Sequence, residues 1–275
     1  MTKTTLFKIT TLGNLHVGAG EQNFGVIDNL VQKDPITEVP VIHSSSLKGA
    51  ILHHFESFNP HYSVKKKRHV FGYEDKEKKE TRAGEVKFLQ AELLALPARS
   101  NKQLYFLATT PQILNDFIEG YNLLTKKSID LVIPNIEEES IIISTNDKDC
   151  WIEDYEVQKI DDDLVKKISK KLFDGKPLAL MREDIFKSIS LPIITRNKIA
   201  KTAEDDNNLF YEEVIPRRSI FYTYVITPDD IDESDKDLEK VFEEFITKMQ
   251  EENIQIGANA SIGYGLCQFK EVSYE

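Results

Sequence analysis

A chain of 275 residues with 40% hydrophobic content can bury a sizeable core, as one large domain or two small ones, and it has no apolar run near the roughly 18 residues of a membrane span. A net charge of −11 argues against a surface that is basic throughout, but the charge is uneven: residues 1–110 hold 15 Lys or Arg against 11 Asp or Glu, leaving 20 against 35 for the remainder. Only Cys150 and Cys267 occur, without CxxC spacing, and MTKTTLFKIT lacks a signal-peptide pattern, so no disulfide framework and no structural zinc are expected, and the protein is expected in the cytoplasm.

Residues 5–17 (TLFKITTLGNLHV) read as a first strand. The glycine-rich GAGEQNFGVIDNLVQKD, residues 18–34, follows as a long loop with an apolar run that ends on Asp28. In SSSLKGAILHHF, Leu47, Ala50, Ile51 and Phe55 share one helical face behind a serine cap. The charged stretch 65–82 predicts a mobile excursion within an insertion at 60–84. KFLQAELLAL and QLYFLATT read as strands about a turn, and PQILNDFIEGYNLL as a helix with a proline start. Residues 125–215 alternate short apolar runs with charged clusters and predict an insertion of loops or a hairpin. SIFYTYVIT is a strand, and DLEKVFEEFITKM is a helix with Leu238, Val241, Phe242, Phe245, Ile246 and Met249 on one stripe. IQIGANASIGYGLCQFKEV supplies a glycine-punctuated loop and a closing strand. The order predicts a single α+β domain with a ferredoxin-like (RRM-like) βαββαβ core and long insertions.

Two loops carry chemistry. GANASIGYG, residues 257–265, has neither the spacing nor the following helix of a dinucleotide fingerprint; it reads as a tight turn or as backbone free to approach a phosphate or base. PVIHSSSLKGA, residues 40–50, combines exposed N–H groups, hydroxyls and Lys48 at a helix start, which suits an anion as well as it suits a plain cap. All six histidines lie in the first 69 residues, without metal-ligand spacing.

Taken together, HVGAG, GVIDNLVQKD, PVIHSSSLKGA, LLALPARS, LFYEEVIP and IQIGANASIGYG resemble the backbone subunit of type III-B (Cmr-type) CRISPR effector complexes, in the RAMP superfamily, from about residue 6 to 270. The family usually has Pro-Gly where His43 and Ser44 stand, and Gly-Gly where Gly257 and Ala258 stand. The resemblance implies a subunit that polymerises along a guide CRISPR RNA, contacts further copies of itself and other subunits of the complex, and cuts a paired target RNA once per copy. No membrane partner is implied. It matches residues 194–214 to a thumb-like hairpin with Arg196, Lys198 and Lys201 on one side and a polar EDDNN tip, and it makes Asp28 the cleavage residue. A carboxylate there either holds a divalent metal, Mg or Mn, or deprotonates the attacking ribose 2′-hydroxyl. His16 and Glu213 are supporting catalytic candidates.

Guide binding is assigned to Gly18, Gly20, Ser45, Ser46, Lys48, Arg99, Arg196, Lys198, Gly257, Gly263 and Gly265, because a guide of arbitrary sequence is held by its backbone. Two other readings stay open: a structural RNA-binding subunit without cleavage, and a standalone RNA-processing nuclease that uses His16 as its base.

Overall fold

The computed structural model describes residues 2–20, 26–59, 62–75, 79–136, 141–198, 208–229 and 236–274. The chain begins with β1 (Thr2–Thr11), β2 (Val41–Ile42), α1 (Ser44–Ser57), α2 (Val64–Phe71), β3 (Gly72–Asp75), β4 (Glu80–Ala83), β5 (Lys87–Phe88), β6 (Ala91–Ala98), β7 (Phe106–Thr109) and α3 (Pro111–Thr125). It continues with β8 (Ile141–Ile143), β9 (Trp151–Ile152), β10 (Tyr155–Glu156), α4 (Asp163–Leu172), β11 (Leu178–Met181), α5 (Glu183–Ser188), β12 (Ile193–Lys198) and β13 (Asn208–Glu213). Last come β14 (Ile220–Pro228), α6 (Lys236–Glu251), β15 (Ile254–Gln255) and β16 (Leu266–Glu271). The fold is mixed α+β, and its strand pairing is mostly antiparallel. No helix among the described residues is long and apolar enough to cross a membrane.

Contacts gather into two compact units where the sequence predicts one domain with insertions. The first comprises Met1–Glu92, Pro192–Ile215 and Tyr222–Val272. In it β15, β16, β1 and β14 are successive neighbours, with Ile9 opposite Phe269 in the antiparallel β1–β16 pair. β5 pairs with β14, and β2 with the first residues of β6. The apolar stripes of α1 and α6 meet in an aromatic cluster: Phe55 and Phe245 lie 5.2 Å apart, and Phe71 stacks on Phe88 at 5.7 Å. Such pairs add to the burial of their area.

Residues 64–83 depart from the predicted excursion. They form α2, capped by the Ser63 hydroxyl, and the β3–β4 hairpin. Val70 and Phe71, two apolar residues too few to register as a period, are buried at the end of α2 and bring Phe71 into that cluster. The serine cap of α1 is also revised. His43 holds the N-cap position without a side-chain cap bond, and Ser44, Ser45 and Ser46 form the first turn.

The second unit comprises Leu93–Leu191, Pro216–Phe221 and Ser273–Glu275. β6 and β7 pair antiparallel, β7 and β11 parallel, and β11 and β8 antiparallel. Much of the predicted insertion therefore builds this sheet. Thr110 caps α3 with its hydroxyl, which accepts from the Ile113 N–H, and the helix starts at Pro111, where a missing N–H costs nothing. Cys150 and Cys267 are both buried, and burial pushes the Cys267 thiol up to about 12, as suits a core residue.

Phe55 is fully buried, so Phe55→Ala is expected to destabilise the protein by about 3–5 kcal/mol, read from chemical denaturation.

Candidate functional site

Four predicted site residues of the first unit, His16, Asp28, Arg196 and Glu213, meet on or against β13. β12 and β13 form an antiparallel hairpin in which Arg196 faces Phe210 and Ile194 faces Glu212. Successive side chains of a strand point to opposite faces, so Glu212 and Glu213 project in opposite directions. Glu212, 3% exposed, accepts from Arg196 Nη1 at 3.0 Å and from Asn259 Nδ2 at 2.9 and 3.1 Å. Its Oε1 lies 3.9 Å from His16 Nε2, beyond hydrogen-bond distance. The Arg196 guanidinium lies 5.8 Å from the Phe210 ring and 5.6 Å from that of Tyr264.

Glu213 serves the other side. Its Oε2 accepts from the Val31 N–H at 3.1 Å, and its Oε1 pairs with Lys33 Nζ at 3.0 Å. Its carbonyl oxygen accepts from Nδ1 of His16 at 2.8 Å, so the buried His16 ring is fixed by its partners and is closed to solvent.

Asp28 lies along the free edge of β13. The N–H groups of Asp28 and Asn29 both donate to the Tyr211 carbonyl oxygen at 3.1 Å, and the Tyr211 N–H donates to Asp28 Oδ2 at 2.7 Å. The carboxylate is exposed, and among the described residues only Tyr211 holds it. The opening residues of the loop, 21–25, and the hairpin tip at 199–207, which holds Lys201 and most of EDDNN, lie outside the described residues.

The glycine loop at 257–265 is locked onto the segment that precedes Gly18. The Ala258 N–H donates to the His16 carbonyl oxygen at 2.9 Å, and the Gly265 N–H to that of Asn14 at 2.7 Å. Gly257 has φ +75°, and a Cβ there would collide with the His16 carbonyl. A Cβ on Gly265, at φ +72°, would fall on the Ile256 carbonyl oxygen. Ala258 is not at positive φ, so the loop needs one glycine where the family usually has two. Asn259 adopts φ +67°, which asparagine tolerates, and donates its amide to Glu212. Gly263 is at φ +83°.

Gln32 connects the Gly18 loop to α1. Its Nε2 donates to the Gly18 carbonyl oxygen at 3.2 Å and to Ser46 Oγ at 3.0 Å, while its Oε1 accepts from the His43 N–H at 2.9 Å. Ser45 is exposed, Lys48 half-buried, and the first turn of α1 has no acidic residue. Gly20, at φ +97°, faces open space. Lys198 ends β12 opposite Asn208. Arg99 belongs to the second unit, where its guanidinium is bound to Glu153. The sequence reading missed Gln32, Glu212 and Asn259. Only the EE pair carried a signal, since two adjacent acids on a strand cannot share one face.

A model of the RAMP superfamily matches residues 8–268. The chain belongs to the RAMP superfamily. This RAMP chain is 28% identical over 293 residues to the CRISPR system Cmr endoribonuclease Cmr4 of Pyrococcus furiosus, across 98% of this chain and 97% of that one. Oligomeric Cmr4 from Pyrococcus furiosus has a similar structure, with a TM-score of 0.73, 23% identity, and coverage of 98% of this chain and 99% of that one. A chain of the type III-B Cmr-beta complex bound to cognate target RNA gives a TM-score of 0.76 at 21% identity, covering 98% of this chain and 96% of that one. The RAMP fold therefore runs through nearly the whole chain.

Gly257→Ala is expected to cost about 1–3 kcal/mol of stability, through strain at positive φ and the clash with His16, whereas Ala258→Gly should be near neutral. Thermal unfolding of the two variants checks this.

Proposed function

We propose that this chain is the backbone subunit of a type III-B CRISPR effector: it binds guide RNA along a filament of its own copies and cleaves paired target RNA at regular intervals. The carrying observation is an exposed Asp28 carboxylate anchored by a backbone N–H at the base of the β12–β13 hairpin, in a chain aligned over nearly its whole length with an endoribonuclease. The order β1, α1, β6, β14, α6, β16 supports a ferredoxin-like βαββαβ core, with β16, β1 and β14 as successive neighbours in the first unit. The family match across residues 8–268 supports reading the chain as one RAMP domain, with β12–β13 as its thumb.

The first turn of α1, with free N–H groups, Ser45, Ser46 and Lys48, has the chemistry to hold a guide phosphate without reading bases. Arg99 and Arg196 contribute less to that grip, since Glu153 and Glu212 already occupy their guanidinium groups.

Target cleavage centres on Asp28. Among the described residues no three His, Cys, Asp or Glu side chains form a metal cage, and Glu212 and Glu213 are taken by their own partners. Among the described residues Asp28 therefore fits a divalent ion as a single carboxylate ligand, in the manner of Mg²⁺ ions that share water and substrate phosphate. Such an ion would supply charge stabilisation at the phosphate. The chain's own part is to fix the carboxylate through Tyr211 and present it to the strand. As a base it takes the proton of the 2′-hydroxyl, which attacks the adjacent phosphorus and expels the 5′-oxygen; that oxygen takes a proton from water, leaving a 2′,3′-cyclic phosphate and a 5′-hydroxyl. Burial of His16 against Glu213 disfavours the standalone nuclease with His16 as base.

In a reconstituted complex, Asp28→Asn keeps an oxygen for the Tyr211 N–H but cannot accept the proton. Target cleavage should fall by about 10²- to 10⁴-fold with guide and target binding unchanged. Fragments of regular length produced at the original rate would refute the assignment.

A further inference from the structure

The segment that carries Asp28 is tied on one side to β13 and on the other to α1. Asp28 and Asn29 donate to the Tyr211 carbonyl oxygen, and the Val31 N–H donates to Glu213 Oε2. Gln32 comes next, 9% exposed. Its N–H donates to the Val17 carbonyl oxygen at 2.8 Å, and its own carbonyl accepts from the Val41 N–H at 3.0 Å. Its side-chain amide donates to the Gly18 carbonyl oxygen and to Ser46 Oγ and accepts from the His43 N–H. A flipped amide would set oxygen against oxygen at Gly18 and N–H against N–H at His43, so the partners fix its orientation. Because Gln32 supplies the hydrogen in its bond to Ser46, the serine hydroxyl keeps its own for another acceptor.

We propose that Gln32 is a positioning residue that sets the register of cleavage: it fixes the span between the first turn of α1, where a guide phosphate is held, and Asp28, so that one linkage of the paired target meets the carboxylate. The proposal rests on the reading of this chain as the RNA-cleaving subunit and deepens it by naming what decides where the cut falls. Four residues separate Asp28 from Gln32, and an extended chain of that length spans at most about 14 Å, so the tether is short. Base pairing carries the position of the guide backbone over to the target strand. A helix end held fast against the Asp28 segment therefore selects one linkage, and a slack one lets neighbouring linkages approach the carboxylate. The bridge is a neutral amide, which neither repels a phosphate at the helix start, as a carboxylate would, nor draws it away, as a lysine would.

The test uses the reconstituted complex with guide RNA and an end-labelled target, and it resolves the cut sites to single nucleotides. Gln32→Met keeps the length of the side chain and none of its amide bonds. At a temperature where the variant is folded, it is expected to raise the ratio of cuts at neighbouring linkages to cuts at the main one by about 5- to 150-fold. Ser46→Ala removes one of the three side-chain bonds and should move the same ratio the same way by less, so it decides the matter where Gln32→Met does not assemble or cuts nothing. Phe245→Leu loosens the remote aromatic cluster and should lower stability while leaving the cut positions unchanged. Cuts confined to the original linkages in Gln32→Met, or in Ser46→Ala where it decides, would overturn the proposal and leave the proposed function standing. Equal blurring in Phe245→Leu would also overturn it, since general loosening would then account for the effect. A wild-type complex that leaves the target whole would remove the reading on which the proposal rests.

Discussion

Only 3% of Glu212 is open to water, and a carboxylate that has lost its hydration needs replacements for it. Arg196, from the opposite strand of the hairpin, and Asn259, from the C-terminal glycine loop, supply them. These partners lie 16 and 47 residues from Glu212 in the chain. A buried ion pair of this kind adds little net stability against a well-packed apolar alternative, but a missing partner is costly, and that asymmetry makes it a device of specificity. It fixes which loop lies against which strand.

The remaining geometry follows from the alternation of a β-strand. With Glu212 turned to Arg196 and Asn259, Glu213 must face the other way, where it takes the Val31 N–H and Lys33 and so lays the 28–33 segment along β13. Asp28 and Asn29 then fall opposite the Tyr211 peptide, and His16 is held by the Glu213 carbonyl. His16 in turn accepts the Ala258 N–H through its own carbonyl, an approach that only a glycine at 257 permits. Three segments distant in sequence thus meet at one short strand. Rigid support from a second layer of hydrogen bonds is what the role proposed for the exposed Asp28 carboxylate requires.

Much of the scaffold was legible in the sequence because hydrophobic periodicity is a direct record of burial. The run SIFYTYVIT became β14, and the stripe through Val241, Phe242, Phe245 and Met249 became the buried side of α6. Helix α2 escaped notice because its core contribution is the pair Val70 and Phe71 within a charged run. The candidate site came forward in another way: the resemblance to a family proposed Asp28, His16, Glu213 and the glycine loops. Gln32 and Asn259 left no trace, since a single amide in a loop looks the same whether it is solvated or spans two segments. The roles of Arg99 and Arg196 could not be read either, because a basic residue's partner is a fact of three dimensions.

The central claim is that the Glu212–Arg196–Asn259 contact orders the site, and a double-mutant cycle between Glu212 and Arg196 tests it most directly. Unfolding free energies of Glu212→Gln, Arg196→Met and the double variant should show single losses of about 1.5–3 kcal/mol and a coupling energy of about 0.5–3 kcal/mol. Strictly additive, near-zero losses would contradict the account.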